Sequence, residues 1–414
     1  MNYNDYILFV PGTDKKNNTV VAFSAATVPK GKFSFSNLFS NKSFNTILVN
    51  TSNNNWYNGD GNSALTCKQY AKAITDLIED NNLTGSIIAL GGSMGAYGAI
   101  NIGKLINADT IIAFGLEHKL FMHGSKSEKY YIEKNLKIIP NISKGTEFHG
   151  EQYVVTGGRD LIDYYNSMVY CKKQNISLFL LPDKPHSLPP YIFNKISPNR
   201  LLHEEKISSS LLCSCLGAEQ ELPKDIDIVF ASKLLDSIQF LKQNNAVFEE
   251  KCDILNECYQ ESYNNILKAH YLKLMAEIEV KKKNFPDALE LYYKALNLFP
   301  GFKEIYAPLV AIQRRFDLSL SLELSERFID SHQPELLDPN LQMLYQHGIN
   351  RYSNKEYSEA IDLLEDFSRS RPFHEHAAFL ILQSKNQVQS KMDYMRYYNE
   401  YVERFPNSKF NPQD

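Results

Sequence analysis

The chain has 414 residues, more than one hydrophobic core usually serves, so at least two folding units are expected. Hydrophobic residues make up 43% and charged residues 22%, a globular balance that argues against a disordered chain. A formal net charge of −4 argues against a nucleic-acid binder, and no stretch approaches the roughly 20 apolar residues that span a bilayer.

The N-terminus reads Met1-Asn2-Tyr3-Asn4-Asp5 and lacks the basic and small-residue signals of a secretory leader. The cysteines (Cys67, Cys171, Cys213, Cys215, Cys252 and Cys258) are scattered and form no disulfide framework, so a reduced, cytoplasmic protein is expected. Cys213 and Cys215 form a lone C-x-C, too few ligands for a zinc site, and no metal is expected.

Seven short apolar runs read as strands: 6–10, 19–23, 46–49, 86–90, 110–114, 152–155 and 177–181. Several are apolar throughout, as strands covered on both faces of a parallel sheet are. Helical spacing fills the intervals at 65–79, 94–106 and 161–173. The alternation predicts an α/β domain over 1–205. Residues 206–260 read as a helical connector, in which 225–241 either closes that domain or begins a helical array.

From 261 to 414 the pattern is helix after helix. Pro300, Pro334, Pro372 and Pro406 close similar helix ends, with spacings of 34, 38 and 34 residues. Ala276, Ala288 and Ala295 precede Pro300 at the same offsets at which Gly348, Ala360 and Phe367 precede Pro372. This period, with small residues where two helices must approach closely, resembles the tetratricopeptide repeat. The other two units are degenerate: Leu322 and Tyr394 stand where alanine is expected. The resemblance implies binding of a partner protein or self-association, with a purely stabilising array as the alternative.

The chemistry centres on Gly91-Gly92-Ser93-Met94-Gly95, a G-x-S-x-G sequence between a predicted strand and a predicted helix. Such a turn lifts a serine out of the sheet and aims helix N–H groups at a developing oxyanion. Serine needs a base, and the base an orienting acid. Asp160 follows the strand 152–155 and His186 follows the strand 177–181, so Ser93, Asp160 and His186 form the expected triad. Asp163, about one helical turn beyond Asp160, is the alternative acid. Asp183 reads as a turn residue. His118 is a pocket candidate for which a plain loop position is the simpler reading, and His149 has no evident partner.

The Met94 amide is the first expected oxyanion donor and the Ala25 amide, after the second strand, the other. The Asn-rich loop carrying Trp56 and Tyr57 suits a sugar face, though it also reads as a solvated loop anchored by its tryptophan. Residues 118–150 read as a cap whose lysines (119, 126, 129, 134, 137) hint at an acidic substrate.

Together these motifs resemble the α/β-hydrolase superfamily over 1–205, and 92–99 is similar to the elbow of bacterial esterase-like members. Some of those accompany surface-polysaccharide or glycoprotein-export systems as acetyl esterases or acetyl transferases. The resemblance implies a serine esterase or acyltransferase acting on a small-molecule or glycan ester without a cofactor. The alternative is a catalytically inactive scaffold of the same fold.

Overall fold

The computed structural model describes residues 5–39, 43–51, 54–59, 65–131, 148–204, 208–243, 249–331, 338–406 and 408–410. It divides into two compact units, Met1–His270 and Tyr271–Asp414.

The first unit is built on one eight-stranded sheet. Its strands are β1 (Ile7–Val10), β2 (Thr19–Phe23), β3 (Asn45–Val49), β4 (Ile87–Gly92), β5 (Thr110–Phe114), β6 (Glu151–Gly157), β7 (Leu178–Leu181) and β8 (Glu219–Glu221). The order across the sheet is β1-β3-β2-β4-β5-β6-β7-β8. The two edge strands, β1 and β8, pair antiparallel, and the six between them are parallel. β2, β3 and β5 are buried along their whole length, as the continuous apolar runs predict. The sequence pattern misses β8, because Glu-Gln-Glu has no apolar side chain to signal a strand. Its backbone bonds to β7 hold it.

The helices Cys67–Asp80, Met94–Leu105 and Leu161–Gln174 fill the predicted intervals. Thr66 caps the first with a reciprocal bond to Gln69, a capping box that fixes its start. Beneath one face of the sheet, Phe35, Phe39, Phe44, Phe114 and Phe193 form one aromatic core with Leu188 and Ile192. Each fully buried ring contributes about 2 kcal/mol. The helix Asp225–Gln243 belongs to this unit: Asp227 accepts from the Ser262 hydroxyl at 2.7 Å, and Asn264 bonds to Tyr164. The described part of the stretch read as a connector falls within the first unit.

The second unit is helical among the described residues. From Tyr271 it takes in the end of the helix Asn265–Lys281, then Phe285–Leu298, and three packed helix pairs follow: Tyr306–Gln313 with Leu318–Ser331, Asp338–Ser353 with Tyr357–Ser370, and Glu375–Val388 with Lys391–Arg404. Ala276, Ala288, Ala295 and Ala360 are fully buried. A Cβ on Gly348 would lie 2.7 Å from Leu364 Cγ, so the two helices approach closely there and a larger residue makes Leu364 shift. Lys283 and Lys355, at the same offset before Pro300 and Pro372, both take positive φ in the turn between paired helices. The repeat is thus present in backbone conformation as well as in spacing.

Candidate active site

Ser93 lies between β4 and the helix Met94–Leu105 with φ 57° and ψ −121°, a backbone state that L residues rarely adopt. Its amide donates to the Phe114 carbonyl on the neighbouring strand at 2.9 Å, which holds the turn to the sheet. The two glycines that flank the turn are required sterically. A Cβ on Gly91 would lie 2.2 Å from the Gly95 carbonyl oxygen, and one on Gly95 would lie 2.2 Å from that of Phe23. Met94 is the first residue of the following helix, where an amide has no intrahelical acceptor.

The Ser93 side chain opens on a cavity of about 730 Å³, lined also by His186, Lys126, Tyr130, Phe35 and Phe193. Ser93 and His186 therefore line the same cavity. His186 follows β7 and its Nδ1 lies 2.5 Å from Asp163 Oδ2.

The carboxylate on the imidazole is thus Asp163, and Asp160 takes another role. Asp160 Oδ1 accepts from the amides of Ile162 and Asp163, both at 3.1 Å, and so caps the helix Leu161–Gln174. The reason is helical geometry. A residue at the cap turns its side chain back to the first amides, while one three positions on points off the same face into the site. The expected strand–turn–acid pattern fits both residues, and spacing alone does not separate them. Gly115, missed by motif reading, completes the pair's setting. It has φ +60°, and a Cβ there would lie 3.0 Å from Asp163 Oδ2 and 3.5 Å from His186 Nδ1.

Burial pulls the His186 imidazolium down, but the charge and hydrogen bond of Asp163, with Asp160 adding, outweigh it and push its pKa up to about 9. Burial also pushes the Asp163 carboxyl up, with Asp160 acting in the same direction. Glu117 is buried, is raised to about 7 by that burial, and accepts from the amides of Lys126 and Ser127. Sequence reading passed over it, because a lone glutamate after a strand carries no motif.

The second expected oxyanion donor is occupied. The Ala25 amide donates to Ser34 Oγ at 3.0 Å, because the chain after β2 folds back and brings that hydroxyl to it. Ala25, Ala26 and Ser34 all line the cavity, and the Ser34 hydroxyl takes up the Ala25 amide.

Trp56 and Tyr57 are not at the cavity. Both are fully buried. Trp56 packs on Tyr131, and Tyr57 lies edge-on to Phe23 and Tyr70 with its hydroxyl donating to the Ser24 carbonyl at 2.9 Å. Asn50 and Asn55 are buried as well, so these residues of the loop anchor the fold, while Asn54 and Asn58 are half-buried. His118 is buried against Tyr170 and Lys173, away from the cavity lining. His149 is exposed, and Asp183 sits in a turn beside Lys184. Of the cap, Lys126 and Tyr130 reach the cavity, while Lys134 and Lys137 lie outside the described residues.

Among the described residues, Asp160, Asp163 and His186 bring their ligand atoms within 4.8 Å of one another. Nδ1 and Oδ2 are bonded to each other, and Asp160 spends an oxygen on two amides, so the set serves the histidine better than an ion. Cys213 is half-buried and Cys215 exposed, both with free thiols. No described helix is long and apolar enough to cross a membrane.

No protein-family model matches this chain, and neither does any curated protein. Among solved structures it is similar to a MamA double mutant, MamA RS-1 ArsTM, at 14% identity and a TM-score of 0.37. That match covers 45% of this chain and 98% of the other. A crystal structure of MamA protein matches at 16% identity and a TM-score of 0.33, covering 42% and 93%. Similarity this low assigns no function.

Chemically, the site holds a strained serine, an imidazole fixed by a buried carboxylate, a helix N-terminal amide and a half-apolar cavity. That set can activate a hydroxyl and stabilise an oxyanion.

Proposed function

We propose that the first unit is a serine esterase or acyltransferase of the α/β-hydrolase type. The observation that carries the reading is the Ser93 turn opening on the same cavity as a His186 held by Asp163. The sheet order supports it too. The nucleophile strand β4 is central, the acid follows β6 and the histidine follows β7.

In the proposed reaction Ser93 Oγ attacks the ester carbonyl and His186 takes its proton. Asp163 holds the imidazole tautomer and stabilises the imidazolium. The Met94 amide and a second donor, for which we take the Ser34 hydroxyl on the same cavity, stabilise the oxyanion. His186 then returns the proton to the leaving alcohol, and water or an acceptor hydroxyl releases the acyl group. No cofactor takes part. An O-acetylated glycan remains a substrate to try, although the buried Trp56 and Tyr57 lend it no support. The helical repeats are assigned to binding a partner protein or a second copy.

The test is labelling of the purified protein with a fluorophosphonate, beside Ser93→Ala and His186→Ala. Labelling of wild type that is lost in both variants supports the enzyme. Folded wild type that does not label returns the chain to the scaffold reading.

A further inference from the structure

Among the described residues, Lys126 is the one lysine or arginine that lines the cavity. Its backbone is fixed from below. The Lys126 amide donates to Glu117 Oε1 at 2.8 Å, the Ser127 amide to Glu117 Oε2 at 3.0 Å, and the Ser127 hydroxyl accepts from the Phe121 amide at 2.7 Å. Its ammonium makes no ion pair or hydrogen bond among the described residues.

The carboxylates around it are each spent elsewhere. Asp163 meets His186, Asp160 meets two amides, and Glu117 meets the amides of 126 and 127. Phe35, Leu38, Pro189 and Phe193 supply apolar wall, which weakens solvent screening of a charge held among them. Lys126 already acts across the site, since its charge pulls down the pKa values of both His186 and Asp163.

Resting on the esterase reading, we infer that Lys126 selects esters that carry a carboxylate. A single ammonium, with no guanidinium among the described lining residues, matches a monoanion and lacks the fork that grips a phosphate. The ester sits at Ser93 and the carboxylate at Lys126. The role is one of specificity, since the lysine exchanges no proton with the reacting atoms.

The test compares kcat/KM for 4-acetoxybenzoate with that for methyl 4-acetoxybenzoate, which differ in one charge. Lys126→Met is expected to lower the ratio of carboxylate over methyl ester about five- to ten-fold, and added salt to lower the wild-type ratio. Lys126→Arg is expected to keep most of the preference. Lys119→Met, which removes an exposed charge of the same cap outside the cavity, is the control for net charge. A ratio unmoved by Lys126→Met, or moved as far by Lys119→Met, overturns the inference while the esterase stands. If Ser93 takes the fluorophosphonate but neither ester turns over, benzoate must slow labelling of wild type more than of Lys126→Met; equal slowing overturns it. Wild type that neither labels nor hydrolyses removes both readings together.

Discussion

Asp160 and Asp163 differ by three positions and by function. Asp163→Asn leaves an amide against Nδ1 and favours the wrong tautomer, so ester hydrolysis is expected to fall about a thousand- to ten-thousand-fold in kcat/KM. Asp160→Ala removes a helix cap and is expected to cost about 1 kcal/mol of stability, read as a lower thermal midpoint, with much smaller kinetic loss. Equal kinetic losses in the two variants would contradict this division of labour. The imidazole also sets a pH dependence. The base must be deprotonated to act, and Asp163 holds its proton on, so kcat/KM is expected to climb through a pKa above the ordinary 6.5, toward about 9. Replacing Asp163 with Asn moves that inflection to lower pH. Stability runs the other way. Folded His186 holds its proton more tightly than the unfolded chain does. The stabilisation it supplies is complete below the ordinary 6.5 and is lost as pH rises through about 9. Thermal midpoints taken across that window, in wild type and Asp163→Asn, check the sign.

Between strand and helix, the turn at Ser93 depends on side chains that are absent. Gly95→Ala puts a methyl 2.2 Å from the Phe23 carbonyl, so β2 or the helix Met94–Leu105 must shift. The expected cost is about 3 kcal/mol or more, with Ser93 labelling lost beyond what the stability change explains. In the second unit, Gly348→Val drives atoms into Leu364 and is expected to destabilise that helix pair by about 1–3 kcal/mol, read by urea unfolding. Leu322 and Tyr394, where the repeat departs from its small-residue rule, tolerate substitution better. Both are half-buried, while Ala360 is closed in completely.

At the scale of the whole molecule, two units with different periodicities share one chain, and much of that division is legible along the sequence. Continuous apolar runs identify buried parallel strands, because a strand covered on both faces has no polar side to show. Paired prolines and small residues mark the helical repeats, because helix contact tolerates little bulk at fixed offsets. The G-x-S-x-G turn is legible for the same reason: steric limits on a sharp turn write themselves into neighbouring residues. What the sequence leaves open depends on contacts between distant segments. Spacing cannot say whether Asp160 or Asp163 reaches His186, since a helix cap and a site residue look alike in one dimension. It cannot show that Ser34 takes the Ala25 amide, that Trp56 and Tyr57 turn inward, or that Glu-Gln-Glu joins the sheet edge. Nor does it single out Lys126 from the other lysines of its segment. Local sterics and hydrophobic period act over a few residues and are inscribed there. Side-chain direction, burial and charge pairing arise only when the sheet brings remote loops to one end, and only the tertiary structure decides them.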